Sequence, residues 1–182
     1  MERTQFVKYA DNCSNDFTVS SGVPQGSHLG PTLFLLFIND ISDAIGDDVL
    51  TSLFADDTKL AKIVKTVDDT TILQNAILQL QDWCTKNKLD LNIDKCSVMT
   101  ISKKKTHLLA NYTLFNQPLK RVNSQRDLGV IFNSKLDFAD HIDSITAKAY
   151  SALGFVKRFC YDLNDTVTLK SLFYALVQSH LE

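Results

Sequence analysis

At 182 residues, with 45% hydrophobic and 22% charged side chains and only 6 Gly and 3 Pro, the chain has an ordinary globular composition that excludes disordered, collagen-like and low-complexity architectures. Nineteen basic against 21 acidic residues leave a net charge of −2, so no whole-molecule field attracts nucleic acid and any such binding must be local. The longest apolar run, Leu33 to Ile38, falls far short of the roughly 18 residues of a membrane-spanning helix.

The first segment alternates, with Gln5, Val7 and Tyr9 on one face and Phe6, Lys8 and Ala10 on the other. It reaches the turn-rich stretch Asp11, Asn12, Ser14 and Asn15 and then the run Phe17 to Val19, which predicts a β-hairpin. Gly22-Val23-Pro24-Gln25-Gly26-Ser27 is a loop punctuated by Gly and Pro. Gly30-Pro31 opens a helix expected to run to about Ile45, because Pro is well accepted at the first helical position and Gly46 ends it. Val49 to Ala55 and Leu60 to Val64 are β-capable stretches on either side of Asp56-Asp57-Thr58-Lys59, a second hairpin with acids at its tip. From Asp69 the spacing of Ile72, Leu73, Ala76, Ile77, Leu80, Trp83 and Cys84 predicts one helical stripe, capped by Asp68, Asp69 or Thr70. Beyond Leu89 to Asn92 the pattern predicts a strand from Cys96 to Ile101, a lysine-rich loop, and strands around Tyr112 to Phe115 and Leu128 to Phe132. Two helices follow. The first covers Phe138 to Tyr161; the second starts near Asp165, turns Leu169, Leu172, Phe173 and Leu176 inward and runs to the chain end.

The cysteines Cys13, Cys84, Cys96 and Cys160 are scattered without Cys-x-x-Cys spacing, and no basic-then-apolar leader opens the chain. Reduced, buried thiols in an intracellular protein are the expectation. Positive charge gathers in the middle third, at Lys103, Lys104 and Lys105 with Lys95 before them and Lys120, Arg121 and Arg126 after, either as a nucleic-acid patch or as a solvated loop. The histidines show no metal-ligand spacing, and no serine has a paired base in a recognised arrangement.

Asp-Asp occurs three times. Asp47-Asp48 follows a helix end and Asp68-Asp69 precedes a helix start, where aspartate serves turns and caps. Asp56-Asp57 instead follows Leu53-Phe54-Ala55 at a strand end, where a plain turn favours Asn-Gly. Adjacent carboxylates repel unless a cation neutralises them, and Mg²⁺ takes one or two carboxylates together with phosphate oxygens and water. The pair is therefore a candidate magnesium site, with Asp56 the nearer ligand and Asp57 the outer one, set against a polar turn as the plainer alternative.

The loop Gly22 to Ser27, with Leu29-Gly30-Pro31 and Leu33-Phe34-Leu35-Leu36-Phe37-Ile38-Asn39-Asp40, resembles the Val-Pro-Gln-Gly-Ser loop and helix of non-LTR (LINE-type) retrotransposon reverse transcriptases. Phe54-Ala55-Asp56-Asp57 is similar to that family's aromatic-Ala-Asp-Asp hairpin. Leu91-Asn92-Ile93-Asp94-Lys95-Cys96 is similar to its Leu-Asn-x-x-Lys segment, and Leu128-Gly129-Val130 with Phe138 and His141 resembles its primer grip and thumb entry.

The resemblance implies an α+β fold: a partial polymerase palm over residues 1–135, with an antiparallel sheet backed by helices, and the start of a helical thumb over 136–182. It implies two Mg²⁺ ions, or Mn²⁺, on the catalytic residues Asp56 and Asp57. Lys95 neutralises the departing pyrophosphate, or is a plain surface lysine. Pro24, Gln25 and Gly26, with Phe54 and Ala55, lie beside nucleotide and template. Leu128, Gly129 and Val130 support the primer end, or form a simple buried strand. The partners implied are an RNA template, a DNA primer and deoxynucleoside triphosphates, with no membrane. Phe54 stands where many relatives carry Tyr.

One departure matters more. The family places another catalytic aspartate in a strand upstream of the Pro-Gln-Gly loop, yet only Glu2, Asp11 and Asp16 precede Gly22, and none supplies that motif. A two-metal centre without it lacks the cross-strand ligand that fixes both ions. The expectation is a polymerase fragment with little or no activity of its own. The alternative is a non-enzymatic retroelement remnant that binds nucleic acid weakly. Apolar faces left uncovered by the missing fingers predict self-association.

Overall fold

The computed structural model describes residues 3–19, 22–23, 26–104, 106 and 108–182. The chain is a mixed α+β protein with two compact units, Met1–Asp90 and Leu91–Glu182. Among the described residues the strands form six two-stranded sheets rather than one palm sheet.

In the first unit, β1 (Arg3–Gln5) pairs antiparallel with β4 (Phe17–Val19), and β2 (Lys8–Tyr9) with β3 (Asn12–Cys13), giving the expected first hairpin. Its turn lies at Ala10-Asp11, one residue earlier than the polar stretch indicates, with Ala10 at φ +50°. The helix expected from Gly30 to Ile45 is two helices, α1 (Gly30–Ile38) and α2 (Ile41–Ile45), broken at Asn39-Asp40. A long-range bond accounts for the break: the Trp83 indole N–H donates to the Asp40 carboxylate at 3.0 Å, and the Phe37 ring lies 5.8 Å from the Trp83 ring. Gly46 ends α2 as expected, at φ +85°, a conformation that favours glycine.

The hairpin strands are β5 (Leu50–Phe54) and β6 (Asp57–Ala61), followed by α3 (Val67–Asn87). The predicted stripe of α3 is real, since Ala76, Ile77, Leu80, Trp83 and Cys84 are buried with Ile38, Ile41, Ile45 and Val49. Its cap is Thr66, not one of the residues after it. Thr66 Oγ1 accepts from Asp69 N at 3.3 Å, while Asp69 Oδ2 accepts from the backbone N–H groups of Lys65 and Thr66 at 2.8 Å each. This is a reciprocal capping box.

The second unit begins with a single 3₁₀ turn, Ile93–Lys95, and β7 (Ser97–Met99). The strand β7 pairs with β10 (Lys120–Val122) in parallel, against the expectation of a wholly antiparallel sheet, because the connection between them holds its own hairpin, β8 (Thr113–Leu114) and β9 (Gln117–Pro118). A further hairpin, β11 (Ser124–Asp127) and β12 (Val130–Asn133), leads to α4 (Ala139–Phe159) and α5 (Thr166–Leu176). Ala149, Val156 and Val177 form the buried centre of the helical part. The last helix does not run to the end of the chain: α5 stops at Leu176 and a 3₁₀ turn, Gln178–His180, follows. Leu169 and Leu172 are half-buried, whereas Phe173 and Leu176 are exposed, which corrects the expected inward stripe. Among the described residues no helix is long and apolar enough to cross a membrane.

Three exposed caps and turns carry an acid signature. Asp69 is held below the ordinary 3.8 by the Lys65 and Thr66 backbone N–H groups and the Thr66 hydroxyl. Asp165, the α5 cap, is lowered by the Thr168 hydroxyl and the Thr168 and Val167 N–H groups. Asp137 is lowered by the Asn133 amide and the Ala139 N–H. A carboxylate depressed in the folded state contributes stability that is complete above its unfolded value and is lost as pH falls below it. The melting midpoint is thus expected to hold to about pH 4 and then drop. Asp165→Asn, which keeps a capping oxygen but removes the charge, should drop less over that interval. Equal acid sensitivity in both proteins would contradict the assignment.

Candidate active site

The β5–β6 register pairs Phe54 with Asp57, so the tip is the two-residue turn Ala55-Asp56 and not the four-residue stretch from Asp56 to Lys59. Ala55 sits at φ +49° and is the only one of the two turn residues with positive φ. That is the φ pattern of a type II′ turn, whose first central position normally takes glycine. An alanine there stores strain on the order of 1 kcal/mol, which the paired strands must offset. Asp56 therefore belongs to the turn and Asp57 opens β6, so strand alternation does not rank them as nearer and outer ligands. Both are exposed, as are Phe54 and Ala55, and β5 is an exposed to half-buried strand, not a buried one.

No donor among the described residues hydrogen-bonds either carboxylate. Two successive anions with no hydrogen-bonding partner among the described residues suit a hard, oxygen-seeking cation, and the donor set fits Mg²⁺ or Mn²⁺ as part of a coordination sphere. It is only a part, because among the described residues no group of three or more His, Cys, Asp or Glu is placed to hold a metal.

The expected nucleotide loop is described only at its edges. Pro24 and Gln25 lie outside the described residues, so their relation to the hairpin tip does too. Gly22, at φ +80°, has its carbonyl oxygen held by the Arg3 guanidinium at 2.7 Å, which ties the loop start to β1. Gly26 is also at φ +80°, and a Cβ added there would meet nothing within 4 Å. The glycine is required by the backbone, and open space lies beside it.

In the second unit, Lys95 ends the 3₁₀ turn with an exposed side chain. Leu128 and Gly129 are not strand residues. With Asp127 paired to Val130 they form a two-residue turn at φ +45° and +90°, the type I′ pattern, and Leu128 is 53% exposed. Val130 opens β12 and is half-buried. Phe138 and His141 join this hairpin to α4: the Phe132 and Phe138 rings meet edge-on at 5.7 Å, and His141 Nδ1 accepts from the Ile131 N–H at 3.4 Å.

Sequence reasoning missed the role of Arg121. Its guanidinium donates to Thr100 Oγ1 and to the Ala110 carbonyl, each at 2.5 Å, closing the lysine-rich loop at its base. The signal was an arginine inside a strand next to a loop of uncertain purpose, which charge counting assigned to the surface.

The family described as Reverse transcriptase (RNA-dependent DNA polymerase) matches residues 3–155. Among curated proteins the chain is similar to the RNA-directed DNA polymerase from mobile element jockey of Drosophila melanogaster, at 30% identity over 79% of this chain and 16% of the relative. The jockey polymerase of Drosophila funebris is 31% identical over the same shares. The probable RNA-directed DNA polymerase from transposon BS of Drosophila melanogaster is 25% identical over 93% of this chain and 20% of the relative. The chain thus spans less than a quarter of the length of these relatives. No solved structure matches. A family match over most of the chain, together with these relatives, makes this chain a member of the reverse transcriptase family, of the non-LTR retrotransposon type.

Proposed function

We propose that the chain is the palm and thumb-entry portion of an RNA-directed DNA polymerase, with palm over 1–135 and thumb from 136. In the complete enzyme Asp56 and Asp57 hold Mg²⁺. The observation that carries this reading is the Ala55-Asp56 turn, which puts carboxylates on two successive exposed residues, neither hydrogen-bonded by a donor among the described residues. The bound ions would supply charge neutralisation for an attacking 3′-hydroxyl and a departing pyrophosphate. In the complete enzyme Gly26 would leave room for a base pair to approach the backbone, Gln25 would offer it both donor and acceptor, and Lys95 would offer a proton or a positive charge to the pyrophosphate. Phe54 precedes the tip and Ala55 is its first turn residue, both beside nucleotide and template, and the Leu128-Gly129 turn with Val130 supports the primer end.

Acids from one hairpin hold a two-ion centre poorly, so the 182-residue chain is expected to show no extension of a DNA primer on an RNA template above background with Mg²⁺ or Mn²⁺. A longer chain that adds an aspartate-bearing strand upstream of Gly22 is expected to extend it. Robust extension by the short chain overturns the inactivity. Failure of every such longer, folded chain overturns the polymerase reading in favour of a non-enzymatic remnant.

A further inference from the structure

The lysine-rich loop is the one sequence feature that neither the hairpin nor the primer-end turn absorbs. The structure separates its charges. Arg121 is committed to Thr100 and Ala110 and is not a free cation. Ser102 N–H donates to the Ser134 carbonyl at 3.0 Å, and the Lys104 N–H donates to Ser102 Oγ at 3.1 Å, which fixes the start of the loop against the 133–137 segment. That segment is itself tied down, because Asn133 Oδ1 accepts from the Lys135 and Asp137 N–H groups at 3.2 Å each. Between the two lies a concavity of about 460 Å³ lined by Ser102, Lys103, Lys104, Lys135, Leu136 and Asp137. Lys135, distant in sequence from the cluster, thus joins it in space.

The lining carries three ammonium groups against one carboxylate. That carboxylate already accepts from the Asn133 amide and from the Ala139 N–H at 3.1 Å. Among the described residues none of the three lysine side chains makes a hydrogen bond or a close ion pair, although Lys135 acts through space on the Asp137 carboxylate and is offset in part, which leaves the lining net positive. Three cations held at one concavity by two mutually bonded loops repel one another, and a polyanion relieves that repulsion.

We propose that Lys103, Lys104 and Lys135 form a phosphate-backbone contact for a nucleic-acid strand. The site reads no sequence: lysines are point charges, and phosphate contacts position a strand without identifying its bases. The site lies in the second unit, on the segment that leads from β12 into α4, and would act as a holding contact for the strand. The proposal shares with the polymerase reading only the assumption that the ligand is nucleic acid.

The test uses the full chain and a short fluorescein-labelled single-stranded RNA, with anisotropy followed across a salt series. The triple variant Lys103→Gln/Lys104→Gln/Lys135→Gln is expected to weaken binding at low salt by about tenfold or more and to flatten the log–log salt slope by about 2, at roughly 0.7 per lost phosphate contact. A control triple of equal charge change, Lys86→Gln/Lys148→Gln/Lys157→Gln, should leave the slope near that of the parent. Equal losses in the two triples, or no loss in the first, overturn the site. Inorganic tripolyphosphate is the second arm: displacement of RNA by it at matched phosphate concentration would assign the cavity to a free polyphosphate instead. Circular dichroism of each variant guards against unfolding. A longer chain that extends primers while the triple variant binds RNA undiminished would sink this site and leave the polymerase reading intact.

Discussion

Replacing either Asp56 or Asp57 by Asn is expected to remove detectable Mn²⁺ binding from the 182-residue chain, read by the electron paramagnetic resonance of the free ion. In the longer chain with an upstream aspartate strand, it should cut primer extension by about a thousandfold or more, on the order of 4 kcal/mol of barrier. The size of the effect follows from geometry. The Ala55-Asp56 turn places the two carboxylates on successive residues, and neither is hydrogen-bonded by a donor among the described residues, so each depends on the cation and the cation depends on both. An amide keeps the shape and one oxygen but loses the charge on which a hard, reluctantly dehydrated ion relies. Ala55→Gly is the companion variant. It relieves the positive φ without touching a ligand, so metal binding should persist and the hairpin should gain stability if the strain is real. Metal binding that survives Asp56→Asn and Asp57→Asn alike would remove the basis for the active-site assignment.

The second large effect is on folding. Trp83→Ala is expected to destabilise the first unit by about 3–5 kcal/mol, seen as a lower denaturant midpoint. Trp83 is 6% exposed and lies in the buried stripe of α3, with the Phe37 ring against it and the Asp40 carboxylate on its indole N–H. Truncation leaves a large cavity and an aspartate without its donor. Trp83→Phe retains most of the ring and loses only the hydrogen bond, which should cost about 1–2 kcal/mol. Near-equal losses in the two variants would mean that the bond to Asp40, not packing, is the dominant part. Because the chain has two compact units, a single two-state transition is not assumed, and since both variants remove the chain's one tryptophan, unfolding is followed by far-UV circular dichroism.

Periodicity carried the sequence reading where one face of one element decides the outcome. The α3 stripe from Ala76 to Cys84 and the acidic hairpin were legible because burial on one side and alternation on two strands leave a local record. The break at Asn39-Asp40 was not, since its cause lies 43 residues away at Trp83. The α3 cap was misplaced although Thr66 and Asp69 carry the Thr-x-x-acid spacing of a capping box, a signal overshadowed by the aspartates beside it. Leu128-Gly129 was read as strand because its left-handed turn uses Leu where Asn is customary. At the site, the residue types of the hairpin were legible. The turn that presents them was not, because an alanine at positive φ has no sequence signature.

The junction at 134–138 has a mechanical consequence. Leu136 and Phe138 both sit at left-handed φ, and Phe138 and His141 clasp the preceding hairpin. A helix of 21 residues is about 30 Å long, so α4 acts as a lever on that clasp. A tilt of about 10° would sweep its far end by roughly 5 Å while moving the Leu128-Gly129 end far less. Displacements of the distal helix would thus arrive at the hairpin geared down, as fine adjustment.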